Sequence, residues 1–141
     1  MIDKPKEDAM KIFIADDEKK VRNAIRLLIE AEDDYHICAE AANSRELFSY
    51  LNFCKPDLLL LDKDLSGLKL NAQGLQAIRK VAPQTKIIVM SVDINSKVMQ
   101  LNADGIISKF CSAQMFLSTL QQVAPKPRSN RLSTSGSPLY C

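Results

Sequence analysis

Five side chains in this sequence could do chemistry together: Asp16, Asp17, Asp62, Ser91 and Lys109. Each closes or follows a short apolar run. Ile12-Phe13-Ile14-Ala15 precedes the acid pair, Leu58-Leu59-Leu60-Leu61 precedes Asp62, Ile87-Ile88-Val89-Met90 precedes Ser91, and Ile106-Ile107 leads through Ser108 to Lys109. Three carboxylates brought together repel and raise one another's pKa. A bound hard cation removes that conflict, and carboxylates, a carbonyl and waters in octahedral array are what magnesium takes. Lys109 adds a compact positive charge that a phosphoryl oxygen could meet. Ser91 adds a hydroxyl donor. The set describes phosphoryl transfer to a carboxylate nucleophile.

These groups meet only if strands deliver them to one edge. The leucine run is bounded by Lys55-Pro56-Asp57 and by Ser66-Gly67. A residue before proline is pushed out of the helical region, and Ser-Gly marks a turn. A continuous apolar run between such bounds reads as a strand buried on both faces. Strands are also expected at Lys11–Ala15, Tyr35–Ala39, Lys86–Met90 and Ile106–Lys109. Helices are expected at Lys19–Ala31, from a Ser44 N-cap to near Phe53, at Gln73–Val81, as a turn or two at Asn95–Leu101, and from a Ser112 cap to Val123. A βα unit repeated five times predicts an α/β, doubly wound, five-stranded parallel sheet with helices on both faces. Asp62 then stands at the carboxyl end of the central strand, where ligands collect in open α/β sheets.

The chain has 141 residues and a formal net charge of +2. That length suits one domain with its own core. The charge favours neither general nucleic-acid affinity nor an acidic partner. No acid follows Asp104, whereas Lys109, Lys126, Arg128 and Arg131 do. We expect a loose leader over 1–9, a domain over 10–123 and a flexible basic tail or linker over 124–141. The leader has no signal-peptide pattern and no stretch is long enough to span a membrane. Cys38, Cys54, Cys111 and Cys141 lack the paired spacing of zinc sites. Cys38 and Cys54 are read as small buried hydrophobes of a cytoplasmic protein. His36, the sole histidine, is read as structural or exposed.

With these residues in order at alternating strand ends, the chain resembles the receiver domain of two-component response regulators (CheY-like) over roughly Met10 to Val123. The resemblance implies that Asp62 accepts a phosphoryl group from the phosphohistidine of a sensor kinase or phosphotransfer protein. It implies Mg²⁺ held by Asp17, Asp62 and the backbone carbonyl of Asp64, with Asp16 acting through water. Lys109 would pair with the phosphoryl group, and Ser91 would swing toward it. Such a protein is a switch, not a turnover enzyme. A homodimer through the helix 4 to helix 5 face is an expected consequence.

Four features depart from that pattern. Ser66 stands where proline is usual, which predicts a more mobile loop. The run from Leu68 to Gln73 is long, and Ile106 replaces the usual aromatic. The path from Ser91 to Lys109 is short by about a helical turn, shortening helix 4. Other readings therefore stay open. One is a degenerate receiver that binds a partner without phosphorylation. Another starts from Asp62-Lys63-Asp64-Leu65-Ser66, which resembles the nucleophile loop of haloacid-dehalogenase-like phosphatases; there the acid pair would come later in the chain, and a cap domain is lacking. With the sequence ending at Cys141, the expectation is a stand-alone regulator or a receiver separated from its output domain. DNA contact is expected only in the second case.

Overall fold

The computed structural model describes residues 8–125. The leader before Asp8 and the tail with Lys126, Arg128, Arg131 and Cys141 lie outside the described residues. The element order is β1 (Met10–Ala15), α1 (Lys19–Glu30), β2 (Tyr35–Ala41), α2 (Ser44–Cys54), β3 (Leu58–Asp62), α3 (Ala72–Val81), β4 (Lys86–Ser91), α4 (Ser96–Met99), β5 (Gly105–Ser108) and α5 (Ala113–Val123). All strand pairs are parallel, in the order β2-β1-β3-β4-β5. The expected doubly wound sheet is what forms, and α4 is a single turn of four residues.

The leucine strand shows why. Successive side chains of a strand point to opposite faces. Leu59 and Leu61 enter one core with Phe13, Ile87 and Val89, covered by Leu47 and Leu51 of α2, Leu75 and Ile78 of α3 and Val98 of α4. Leu58 and Leu60 enter the other with Ile12, Ile14, Ile88 and Met90, covered by Ile25 and Ile29 of α1 and Phe116 and Leu120 of α5. A strand sealed on both faces can be apolar at every position, and every residue of β3 is buried.

Four local expectations are corrected. Strand β2 runs to Ala41, because Glu40 and Ala41 still pair with Ile14 and Ala15. The N-cap of α2 is Asn43, not Ser44: the Asn43 side chain accepts from the Glu46 N–H, while Glu46 reaches back to the Ala42 N–H at 2.7 Å. Lys109 stands one residue past β5, although its N–H still donates to the Ser91 carbonyl at 2.9 Å. Cys38 and Cys54 are joined as a disulfide with Cα atoms 5.9 Å apart, so they are not two separate thiols. Cys38, which a bulge in β2 leaves out of the ladder, packs on the α2 side, within reach of Cys54 at the end of that helix.

The loop after Asp62 is anchored along its length. The Leu65 N–H donates to the Asp62 carbonyl, Leu65 is buried, and the Ser44 N–H donates to the Ser66 carbonyl at 2.8 Å. Gly67 takes a positive φ of 83° against the Ser44 side chain, a conformation open to glycine. These contacts tie the loop to α2 at Ser66, the position where the usual proline is replaced.

Tyr35 gives the fold a measurable pH response. Its phenol is buried at the start of β2, and burial, then Glu32 and Asp34, push its pKa up to about 12. A raised acid pKa means the folded state holds the proton more tightly than the unfolded chain. Stability is therefore unaffected below the ordinary tyrosine value of 10.0 and falls as pH climbs from there toward about 12. In an ultraviolet titration of the folded protein, the last phenol to ionise should vanish in Tyr35→Phe. Persistence of that step would refute the assignment.

Candidate metal and phosphoryl site

At the carboxyl edge of the sheet, Asp16 and Asp17 follow β1, β3 ends in Asp62 and β4 in Ser91, and Lys109 follows β5. Asp16, Asp62 and Ser91 are buried and Asp17 is exposed. Carboxylate oxygens of Asp16, Asp17 and Asp62 all lie within 4.8 Å of one another. Lys109 Nζ sits between the two buried acids, 2.8 Å from Asp16 Oδ2 and 3.1 Å from Asp62 Oδ1.

Local backbone geometry aims the acids. The Glu18 N–H donates to Asp16 Oδ1 at 2.8 Å, a side-chain turn that also starts α1. The Asp64 N–H donates to Asp62 Oδ1 at 3.0 Å in the same i to i+2 pattern. Burial pushes the Asp62 carboxyl above its usual range, and the Asp16 charge adds to this, while the Asp64 N–H and Lys109 oppose it. For Lys109, burial favours the neutral amine, but Asp16 and Asp62 outweigh it and hold the ammonium charged.

This chemistry fits a hard divalent cation. The buried Asp16 Oδ2 has the Lys109 ammonium 2.8 Å away as its counter-charge. Asp16 and Asp62 offer carboxylate oxygens from within the fold, and Asp17 offers a third carboxylate from the solvent side. Oxygen donors with room for water are what Mg²⁺ requires.

Most of the expected residues are brought together, with differences. The Ser91 hydroxyl is turned into its own loop: it donates to the Asp93 carbonyl at 2.6 Å and accepts from the Asp93 N–H at 3.1 Å. The Asp64 side chain is exposed beside Lys63, 3.8 Å from its Nζ. Sequence reasoning overlooked Arg22 and Glu40. Arg22 Nη1 donates to the Asp16 carbonyl at 2.5 Å, and its Nε pairs with Glu40 at 3.2 Å. A signal was available, since Arg22 and Arg26 lie one turn apart on α1.

Residues 12–121 match the family model described as the response regulator receiver domain. The oxygen regulatory protein NreC of Staphylococcus aureus (strain JH9) is 30% identical over 121 residues, covering 81% of this chain and 54% of NreC. The nitrate/nitrite response regulator protein homolog of Haemophilus influenzae is 25% identical over 122 residues, covering 84% of this chain and 58% of its own. The chain thus spans about half the length of these curated relatives. The signal receiver domain of the response regulator NarL from Mycobacterium tuberculosis is similar with a TM-score of 0.74 at 18% identity, over 83% of this chain and 97% of that one. That likeness is one of fold. RcsB from Salmonella enterica serovar Typhimurium, solved on the rprA promoter with the phosphomimetic BeF3-, gives a TM-score of 0.74 at 25% identity, over 82% of this chain and 60% of RcsB.

Proposed function

The chain belongs to the response regulator receiver domain family, and from that premise we propose that Asp62 is the phosphoacceptor of a two-component switch. One observation carries the reading: Lys109 Nζ lies within 3.1 Å of the buried Asp62 carboxylate, beside a cluster of acids suited to a metal. A carboxylate oxygen of Asp62 attacks phosphorus in a phosphohistidine of a sensor kinase or phosphotransfer protein. The new P–O bond forms as the P–N bond breaks, and the imidazole leaves with its electron pair. Lys109 meets a phosphoryl oxygen with its positive charge. Asp17 and Asp62 would hold Mg²⁺ directly, with the Asp64 carbonyl as a third ligand and Asp16 acting mostly through water. The ion, when bound, offsets the negative charge of the phosphoryl group and its acceptor.

On this reading the protein catalyses only its own phosphorylation and dephosphorylation. We place it in the cytoplasm, where a reducing medium would open the Cys38–Cys54 disulfide. Among the described residues no helix is long and apolar enough to cross a membrane. Val92, Ile94, Met99 and Met115 are exposed around α4 and α5, which supports a homodimer through that face. DNA binding, as in the RcsB complex, would require an output domain joined to this one.

The degenerate-receiver reading keeps some support from the Ser91 hydroxyl, which is bonded to Asp93, and from the single turn of α4. Both alter the relay and leave the acceptor acids in place. The hydrolase reading is disfavoured by family membership and by the acid pair directly after β1.

The test is intact mass after incubation with Mg²⁺ and a small phosphodonor. One labile phosphoryl adduct is expected, absent with chelator and absent in Asp62→Ala. A wild-type protein that takes no adduct at any donor concentration overturns the proposal and favours the degenerate receiver.

A further inference from the structure

The Asp16-Asp17 pair hangs from a short turn between β1 and α1, and that turn has a brace. Arg22, most of a turn inside α1, directs Nη1 back to the Asp16 carbonyl at 2.5 Å. Its Nε is held by Glu40 Oε1 at 3.2 Å, and the other Glu40 oxygen is held by Arg26. Arg22 is 15% exposed and Glu40 22%, so water competes only partly for these bonds. On the far side of the same residue, the Asp16 N–H is fixed to the Ala41 carbonyl at 3.0 Å.

Glu40 reaches α1 because of the bulge. The ladder passes from Ile12↔Ile37 to Phe13↔Ala39 and skips Cys38. Ile37 packs with the α1 core, while Cys38 and Ala39 both pack on the α2 side. Strict alternation from Ile37 would put Glu40 on the α2 side as well. The extra residue returns Glu40 to the α1 side, where Arg22 and Arg26 are. A bulge that re-aims one carboxylate onto the arginine touching a metal-site turn is a positioning device.

We infer that Arg22 and Glu40 are positioning residues for the metal centre: Glu40 clamps the Arg22 guanidinium, which fixes the Asp16 carbonyl and so the direction of the Asp16 and Asp17 carboxylates. Neither residue touches phosphorus or metal. The inference rests on the acid cluster being a Mg²⁺ site. The competing account is an ion pair that merely ties α1 to β2. Partners that orient metal ligands typically change affinity by about 10–100-fold when lost, whereas a plain surface pair changes it little.

The test is calorimetric Mg²⁺ titration of the full chain, wild type against Arg22→Ala, Arg22→Lys and Glu40→Gln, with melting followed in parallel. Arg22→Ala should weaken Mg²⁺ by roughly tenfold or more. Glu40→Gln should weaken it less, and Arg22→Lys should restore only part, because an ammonium cannot fork between the carbonyl and Glu40. Adduct formation at saturating Mg²⁺ should recover in each variant, so the defect appears in the Mg²⁺ concentration needed and not in the final rate. Unchanged Mg²⁺ affinity with a lowered melting temperature would overturn the inference, as would a wild type that binds no Mg²⁺. If Arg22→Ala does not fold, Glu40→Gln and Arg22→Lys decide the question. A wild type that binds Mg²⁺ but takes no phosphoryl group would defeat the acceptor reading alone and leave this inference to the binding data.

Discussion

Asp62→Asn should lose the phosphoryl adduct completely and, without metal, should melt higher than the wild type. The two effects share a cause. Asp62 is 3% exposed and lies beside the fully buried Asp16. Burial, reinforced by Asp16, raises its pKa, so the folded state disfavours the ionised carboxylate. A carboxyl raised in the folded state carries this cost at all pH values above its folded pKa and sheds it as pH falls through that value. Asparagine keeps the shape and an oxygen for the Asp64 N–H, and it leaves Lys109 paired to Asp16 at 2.8 Å. The expected rise is a few degrees, about what 1 kcal/mol produces in a domain of this size. Adding Mg²⁺ should reverse the order, because the ion binds the folded wild type more tightly and stabilises it by mass action. A variant that melts lower than wild type in chelator would show that the Lys109 contact to Asp62 outweighs burial.

The functional edge was legible because its residues terminate apolar strands. The leucine run ends on Asp62, and a strand buried on both faces has few other readings. Ser112 as the cap of α5 and the shortness of α4 were legible for similar local reasons, although the turn or two expected over Asn95–Leu101 is one turn at Ser96–Met99. The errors cluster where one residue changes a direction. Asn43 and Ser44 are both good caps, and sequence alone does not choose between them; the Glu46 N–H bonded to Asn43 does. The bulge at Cys38 has no signature in Tyr35-His36-Ile37-Cys38-Ala39-Glu40, yet it decides that Glu40 meets Arg22. A period-2 reading of that strand puts Glu40 on the wrong face. The Ser91 hydroxyl could be placed at the edge but not aimed, since its partner Asp93 lies in the following loop. Long-range pairing fixes such details, and composition does not carry it.

Lys109→Ala should be the most damaging single change at this edge. The Lys109 side chain is 14% exposed and is the counter-charge within 3.1 Å of both buried acids. Removing one partner of a buried pair leaves charge without compensation, typically about 3–5 kcal/mol. Burial alone would lower the Lys109 pKa, but Asp16 and Asp62 raise it overall. A base raised in the folded state contributes stability that is whole below its ordinary pKa of 10.5 and is lost as pH climbs through the folded value. The wild type therefore has the full contribution at neutral pH, and the variant should melt lower by on the order of 10 °C in chelator. Three outcomes separate charge from packing. Mg²⁺ should recover part of the loss, since a cation can replace the missing charge, while adduct yield stays low because the ammonium that meets the phosphoryl oxygen is gone. Lys109→Met, which restores volume without charge, should melt nearly as low as Lys109→Ala. Adding Asp62→Asn to Lys109→Ala should raise the melting temperature by more than Asp62→Asn does in the wild type, because there it removes one of the two stranded charges, a non-additivity expected of groups in contact. If Lys109→Met matched wild type, or if the double variant were simply the sum of the singles, the ammonium would not be what holds the two carboxylates together.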